Sequence, residues 1–267
     1  MKMLRALCGM FLVLSLIIAA RPAAVNAADG AEIVKKSQAA FFEAGKDFQA
    51  RVKMTLTTRE GRQRLRELTL LRKNDTAGGQ KYFIYFHSPA DVAGTTFMVY
   101  KYPNRDDDRW LFIPAINLVN RIAARDSRSS FVGSDFTYED VSGRDLGADT
   151  HTLVKEDEIS GQKVYVVESR PQSPTEYAKK IAWIDQANFL PLKEEYYDIQ
   201  QSLYKTFTAG EIKEVEGVAT VMKRTMEDVK SGHKTETVFE RIRYNVGMGD
   251  DLFSERYLRK PPERWIK

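Results

Sequence analysis

Between Phe48 and Thr57 the alternation of apolar and polar side chains is unbroken. Phe48, Ala50, Val52, Met54 and Leu56 stand at even positions, and Gln49, Arg51, Lys53, Thr55 and Thr57 at odd ones. A period of two over that length predicts a half-buried antiparallel strand. Glu60-Gly61 reads as a hairpin turn into a second strand, Gln63–Lys73. Four more strands are predicted at Lys81–His87, Thr95–Tyr102, Asp108–Ile113 and Leu118–Ile122. Beyond an irregular stretch, Asp135–Gly147, come Thr152–Ile159, Lys163–Arg170, Lys179–Asp185, Leu192–Ile199, Leu203–Glu211, Val218–Val229 and Glu236–Tyr244. Turn residues separate them, among them Pro103 to Asp107, Ser160-Gly161, Glu216-Gly217 and Ser231-Gly232.

Helical periodicity is confined to the two ends of this run. Asp29 can cap a helix reaching Glu43, with Ile33, Val34, Phe41 and Phe42 as its apolar stripe and Gly45 as its stop. Asp250–Leu258 predicts a short final helix, and Pro261-Pro262 an extended tail. A helix followed by about a dozen regularly spaced strands predicts a mainly β (α+β) fold: one antiparallel barrel or a strongly curved sheet, flanked by helices. A small barrel with an incompletely packed interior holds a ligand cavity. Lys81–Phe86 and Phe97–Tyr100 are apolar on both faces, so their outer side must be covered by a helix or loop, or else meet lipid or a partner.

The first residues read as an export signal. Lys2 and Arg5 precede an apolar run from Ala6 to Ala20, which is shorter than the ~20 residues of a membrane span. Arg21-Pro22 ends it, and Val25-Asn26-Ala27 offers small residues before a cut ahead of Ala28. The expectation is a signal peptide at 1–27 and one domain at 28–267, delivered to the periplasm. Cys8, the only cysteine, lies inside the leader, so the mature chain would carry no disulfide and no cysteine metal site. Three of the 41 Lys and Arg residues (Lys2, Arg5 and Arg21) leave with the leader and none of the 37 acids does, giving a formal charge of +1. That balance supplies no field for nucleic acid, and the charges read as a mixed solvated surface.

Catalytic patterns are missing. His87, His151 and His233 are isolated, and none belongs to a His-Glu-x-x-His zinc motif. Asp106-Asp107-Asp108 lacks the alternating spacing and central glycine of a calcium loop and falls at a hairpin end. Ser202-Leu-Tyr-Lys205 and Ser231-Gly-His-Lys234 match Ser-x-x-Lys without its companion elements. Gly133-Ser134-Asp135 is not a Gly-x-Ser-x-Gly elbow and reads as a chain bend. The expectation is a non-enzyme with no metal and no cofactor.

The most specific stretch runs from Trp110-Leu-Phe-Ile-Pro-Ala-Ile through Arg121-Ile122 to Ser130-Phe-Val-Gly-Ser-Asp-Phe-Thr-Tyr-Glu-Asp140, with Gly94-Thr-Thr-Phe-Met98 as its lead-in. It resembles the signature block of the bacterial outer-membrane lipoprotein-sorting family with a LolA-like fold. Pro114, Arg121, Phe131, Gly133, Ser134, Asp135, Phe136, Tyr138, Glu139 and Asp140 carry the match. Asn117 and Asn120 depart from it, standing where basic residues are expected beside Arg121. The resemblance implies a half-open antiparallel β-barrel closed by a helical lid, with an apolar cavity receiving acyl chains. It also implies a lid-clasping arginine, whose nearest counterpart is Arg72, followed by Lys73-Asn74 instead of the usual proline.

The implied function is a periplasmic carrier of a lipid or lipoprotein acyl group that transforms nothing. An acyl chain in water is disfavoured by ~0.8 kcal/mol per methylene, so a carrier must offer an apolar surface it can later release. Val52, Met54, Leu56, Ile84, Phe86, Phe97, Met98, Trp110, Phe112, Met222 and Met226 are the expected cavity residues, methionine being well suited to flexible chains. The cavity is expected between the sheet, the Asp29–Glu43 helix and the 135–145 segment. The alternative is a soluble periplasmic partner docking on an inner-membrane transporter of the hydrophobe-exporting type, or delivering to an outer-membrane acceptor. An outer-membrane pore fits less well, because charges populate nearly every strand and the chain ends Trp265-Ile-Lys267 instead of on an aromatic residue.

Overall fold

The computed structural model describes residues 27–267 apart from Asn104 and Glu176. The expected export signal therefore lies outside the described residues, save Ala27, with which the first helix begins. That helix, α1, spans Ala27–Phe42 and is followed by a six-stranded meander: β1 (Asp47–Thr57), β2 (Gln63–Asn74), β3 (Gln80–Ser88), β4 (Thr96–Tyr102), β5 (Arg105–Ile113) and β6 (Leu118–Ile122). A long connection carries one short helix, α2 (Tyr138–Ser142). Then come β7 (Asp149–Ile159), β8 (Gln162–Pro171), β9 (Lys179–Asp185), β10 (Pro191–Tyr197), β11 (Leu203–Ala209), β12 (Ile212–Val215), β13 (Val218–Val221), β14 (Lys223–Asp228) and β15 (His233–Tyr244). The chain closes with α3 (Arg256–Arg259) and α4 (Glu263–Ile266).

Thirteen strands form one curved antiparallel sheet in the order β6-β5-β4-β3-β2-β1-β15-β14-β11-β10-β9-β8-β7, which does not close into a barrel. β12 and β13 form a separate two-stranded ribbon. The chain thus walks outward from β1 to one edge, crosses to the opposite edge, and walks back until β15 pairs with β1. Because β6 and β7 are the two edges, residues 123–148 must span the sheet. This crossing segment, the strap, contains most of the sequence signature.

The period-two pattern of β1 is realised as drawn: Phe48, Ala50, Val52, Met54 and Leu56 are buried on the inner face. The two-faced strands have their own explanation. Tyr82, Ile84 and Phe86 of β3 and Phe97 and Val99 of β4 join the inner core. Phe83 and Met98, with Phe112 of β5, pack outward against Met248, Leu252, Phe253, Leu258 and Ile266. The C-terminal segment therefore covers the outer face of β3–β5. It is pinned at its start by Asp47, whose carboxylate accepts the amides of Val246 (2.6 Å), Gly247 (2.9 Å) and Met248 (2.9 Å).

α1 lies against the other limb of the sheet, with Ile33 and Val34 packed on Val167, Ala182 and Ile184. Gly30 permits that approach, since a Cβ there would stand 2.7 Å from the Leu153 amide nitrogen and 2.8 Å from the His151 carbonyl oxygen.

Four expectations need correction. The expected strand Val218–Val229 is broken at Met222, where the chain leaves the β12–β13 ribbon and enters the main sheet. The single strand expected at Leu203–Glu211 ends at Ala209, and Glu211 leads into that ribbon. The expected helix Asp250–Leu258 is a 3₁₀ turn at Asp250–Phe253 followed by the one-turn α3, because Leu252, Phe253 and Leu258 must all face the sheet. The tail after Pro261-Pro262 regains a helical turn in α4. Among the described residues no helix is long and apolar enough to cross a membrane.

Candidate ligand cavity beneath the strap and first helix

Three layers meet at the inner face. The floor is made by Val52, Met54 and Leu56 of β1, Leu68 and Leu70 of β2, Ile84 and Phe86 of β3, Phe97 of β4, Phe207 of β11, Met226 of β14 and Phe239 of β15. The strap supplies a plug. Phe131 packs on Phe97 and Phe86 with ring centres 5.3 and 5.8 Å apart, and Tyr138 on Phe97 at 5.2 Å. The C-terminal end of α1 supplies the other cover, with Phe41 edge-on to Phe207 at 5.9 Å.

Both covers are tied down by cations reaching up from the floor to backbone carbonyls. In β2 the inward positions read Arg66, Leu68, Leu70, Arg72, so each end of the strand carries a guanidinium. Arg72 donates to the carbonyls of Phe42 (2.5 Å) and Ala44 at the end of α1. Arg66 donates to the Val132 carbonyl of the strap, and Lys101 to that of Gly143 at 2.6 Å. Lys205 pairs with Asp140. Burial pulls Arg66, Arg72 and Lys101 below the usual range of their side chains.

The signature residues build this strap. Thr137 and Asp140 form a reciprocal capping box that starts α2, the Thr137 amide donating to Asp140 Oδ2 at 2.8 Å and the Asp140 amide to Thr137 Oγ1 at 3.1 Å. Asp135 receives the Thr235 hydroxyl at 2.6 Å and contacts His233 Nδ1 at 2.7 Å, anchoring the strap to β15. Ser134 donates its hydroxyl to the Phe131 carbonyl at 2.8 Å, and Gly133 takes a positive φ of 73°. Glu139 holds Arg144, which also grips Asp149 and is kept firmly protonated by the two carboxylates. Pro114 and Arg121 lie apart from the strap, Pro114 against Gly94 and Arg121 paired with Asp108 at the surface.

Beneath the covers is a cavity of about 120 Å³. Val34, Phe41, Phe136, Ala182, Ile184 and Met226 form its apolar wall, and Lys180, Glu194, Tyr196 and Arg144 a polar end. Smaller spaces of about 30 and 50 Å³ adjoin the α1 end and the β1–β3 floor. For comparison, an apolar cavity of about 150 Å³ accepts one benzene ring.

Of the residues expected to line the cavity, Val52, Met54, Leu56, Ile84, Phe86, Phe97 and Met226 share the inner core, and Met222 packs at its margin. Met98, Trp110 and Phe112 lie instead on the outer face beneath the C-terminal segment. Met98 follows Phe97 directly, and neighbouring residues of a strand face opposite ways. Arg66, Lys101, Lys205 and Arg224 were not anticipated, since a basic residue in a strand reads as solvent-facing. Parity gave a signal for Arg224: it stands two residues from both Met222 and Met226. Among the described residues no group of three His, Cys, Asp or Glu side chains is arranged to hold a metal.

A family model whose description reads only "uncharacterized protein" matches residues 78–260. No curated protein matches the chain. Among solved structures, a domain described as an outer membrane lipoprotein-sorting protein from Vibrio parahaemolyticus is 30% identical, with a TM-score of 0.81 over 88% of this chain and 100% of that one. A DUF1329 family protein from Desulfovibrio piger is 27% identical, with a TM-score of 0.80 over 87% and 98%. A LolA superfamily protein from Nitrosomonas europaea shares the fold at 22% identity and a TM-score of 0.68, over 85% and 99%.

Proposed function

This chain belongs to the outer membrane lipoprotein-sorting protein family and has a LolA-like fold; from that premise we propose that it is a periplasmic, non-enzymatic carrier of a lipid or lipoprotein acyl group. Residues 1–27 serve as its cleaved export signal, and 28–267 are the carrier. The observation that supports this reading best is the way the inner face is closed. Strap and helix rest on an apolar floor, and the floor strands hold both through side-chain bonds to carbonyls, none of which belongs to the sheet's own ladder.

The partly open space of about 120 Å³ is smaller than one acyl chain needs, and on the carrier reading this is the form without cargo. Loading requires the strap, the end of α1 or both to lift. The inner-face residues Val52, Met54, Ile84, Phe97 and Met226 then receive the hydrocarbon. The aromatic side chains of the plug shield that floor from water when no cargo is present.

A second reading, docking on an inner-membrane transporter or an outer-membrane acceptor, is supported by the tip of the β5–β6 hairpin. Ile116 and Leu118 there are 64% and 48% exposed. Such a surface suits a partner of the carrier and complements the first reading.

Protein released from cells without detergent should begin at Ala28 by intact mass and yield bound lipid on solvent extraction. The doubly substituted Arg66→Ala, Arg72→Ala protein should take up a fluorescent fatty-acyl probe about tenfold faster, the effect of roughly 1.4 kcal/mol less clasping. An empty protein that also ignores the probe would overturn the carrier reading.

A further inference from the structure

Arg224 occupies an inward position of β14, opposite Ala209 of β11 and Thr237 of β15. Its guanidinium carbon stands 4.1 Å from the ring centre of Phe41 and 4.3 Å from that of Phe239. Its Nε is sealed from solvent and has no acceptor. Among the described residues its side chain enters no hydrogen bond and no ion pair.

Most other cations of the interior differ in this respect; Arg128, in the wall of the same cavity, is the exception, its Nε likewise sealed and without an acceptor. Arg72 and Arg66 donate to carbonyls, Lys205 meets Asp140, Lys180 meets Glu194, and Arg144 meets Glu139 and Asp149. Arg224 as a residue is half-buried, with its Nε sealed; withdrawing a charge from water is costly, so cations drawn inward in this way are normally paired. Among the described residues Arg224 has two aromatic faces and no paired anion, the carboxylates of the same cavity (Glu139, Asp140 and Glu194) being engaged by Arg144, Lys205 and Lys180. Burial pushes it down to about 10, which leaves it protonated at neutral pH.

Its location gives the missing partner a place. The cavity of about 120 Å³ and both smaller spaces have Arg224 in their walls. One of those spaces is lined mainly by apolar side chains, among them Val52, Met54, Leu68, Ile84 and Phe131, with Asp140 and Thr237 beside Arg224. Rings that take the faces of a guanidinium leave its in-plane N–H donors for an acceptor, and a planar fork fits a carboxylate or a phosphate.

We infer that Arg224 receives the anionic head of the cargo, so that the carrier selects an amphiphile with one carboxylate or phosphate group at the end of its acyl chain over a neutral lipid. This rests on the carrier reading and narrows it. The head enters beneath Phe41 and Phe239, and the tail lies along the β1–β3 floor.

The test uses the purified protein, stripped of endogenous lipid. A fluorescent acyl probe is displaced by palmitate, hexadecyl phosphate and hexadecanol, whose tails are of matched length. The unaltered protein should bind the anions at least about tenfold more tightly than the alcohol, and the tighter of the two identifies the head group. Arg224→Met should erase that preference while keeping the affinity for hexadecanol, and Arg224→Lys should retain part of it. Equal affinity for all three competitors in the unaltered protein overturns the anionic head and leaves the carrier standing. Failure to bind any of them overturns both. Should Arg224→Met not fold, the ranking of competitors on the unaltered protein decides alone.

Discussion

Single side chains determine how the covers are held. Arg72 was legible in the sequence only through a resemblance, because its acceptors are carbonyls of Phe42 and Ala44 and carbonyls leave no mark on composition. Arg66 and Arg224 were hidden for the opposite reason: strand arginines are common on surfaces, and only parity with neighbouring apolar residues betrays an inward one. His87 shows a comparable effect on the outer face. It contacts the Thr69 hydroxyl at 2.9 Å beside the C-terminal cover, and burial followed by the charge of Arg51 pushes it down to about 4. In the unfolded chain a histidine titrates near 6.5, so between these values the unfolded state binds more protons than the folded one. Stability should therefore be complete above about pH 6.5 and decline as pH falls toward about 4. Urea midpoints measured across that window should fall, and less steeply for His87→Gln. An unchanged slope would remove His87 from the account.

Among the elements, strands were read well and covers poorly. β1 through β4 follow from periodicity because each commits a face to the core, whereas β5 begins at Arg105, inside the turn expected at Pro103 to Asp107, and β6 buries only Ile122. Periodicity also showed that β3 and β4 are apolar on both sides, and so required an outer cover, but it did not show that residues 247–267 provide it. That segment owes its position to contacts made across the whole chain: Asp47 to Val246–Met248, Thr96 Oγ1 to the Leu258 carbonyl at 2.7 Å, and Gln49 to the Trp265 carbonyl at 2.9 Å. Asp47→Ala would leave three amides without their acceptor and should cost about 1–3 kcal/mol. It should also make the segment after Tyr244 a site of rapid proteolysis. Both effects are readable by denaturation and limited digestion, and a variant as stable and resistant as the parent would contradict the assigned anchor. The strap was similarly half-visible. Its signature stood out as a motif, while its task of joining opposite edges depends on a strand order that no local pattern encodes.

For the whole molecule, a mainly β chain with a strongly curved sheet was legible, but the open thirteen-stranded order was not. Strand counts and turns do not tell which strand completes the sheet. Here the first and last strands do: β1 lies beside β15, with Phe48 opposite Tyr244 and Thr57 opposite Lys234. Nearly the entire polypeptide must exist before the central seam can be sewn. Until then β1 presents an unpaired, half-greasy edge of the kind that recruits other chains. Assembly should consequently be slow and non-local. A chain stopped at residue 232 should aggregate, whereas a monomeric, β-rich product by sedimentation and circular dichroism would refute this. A newborn copy emerging amino end first thus needs a chaperone's shelter until its final thirty-odd residues arrive, and the cell's quality control would meet the molecule in that window.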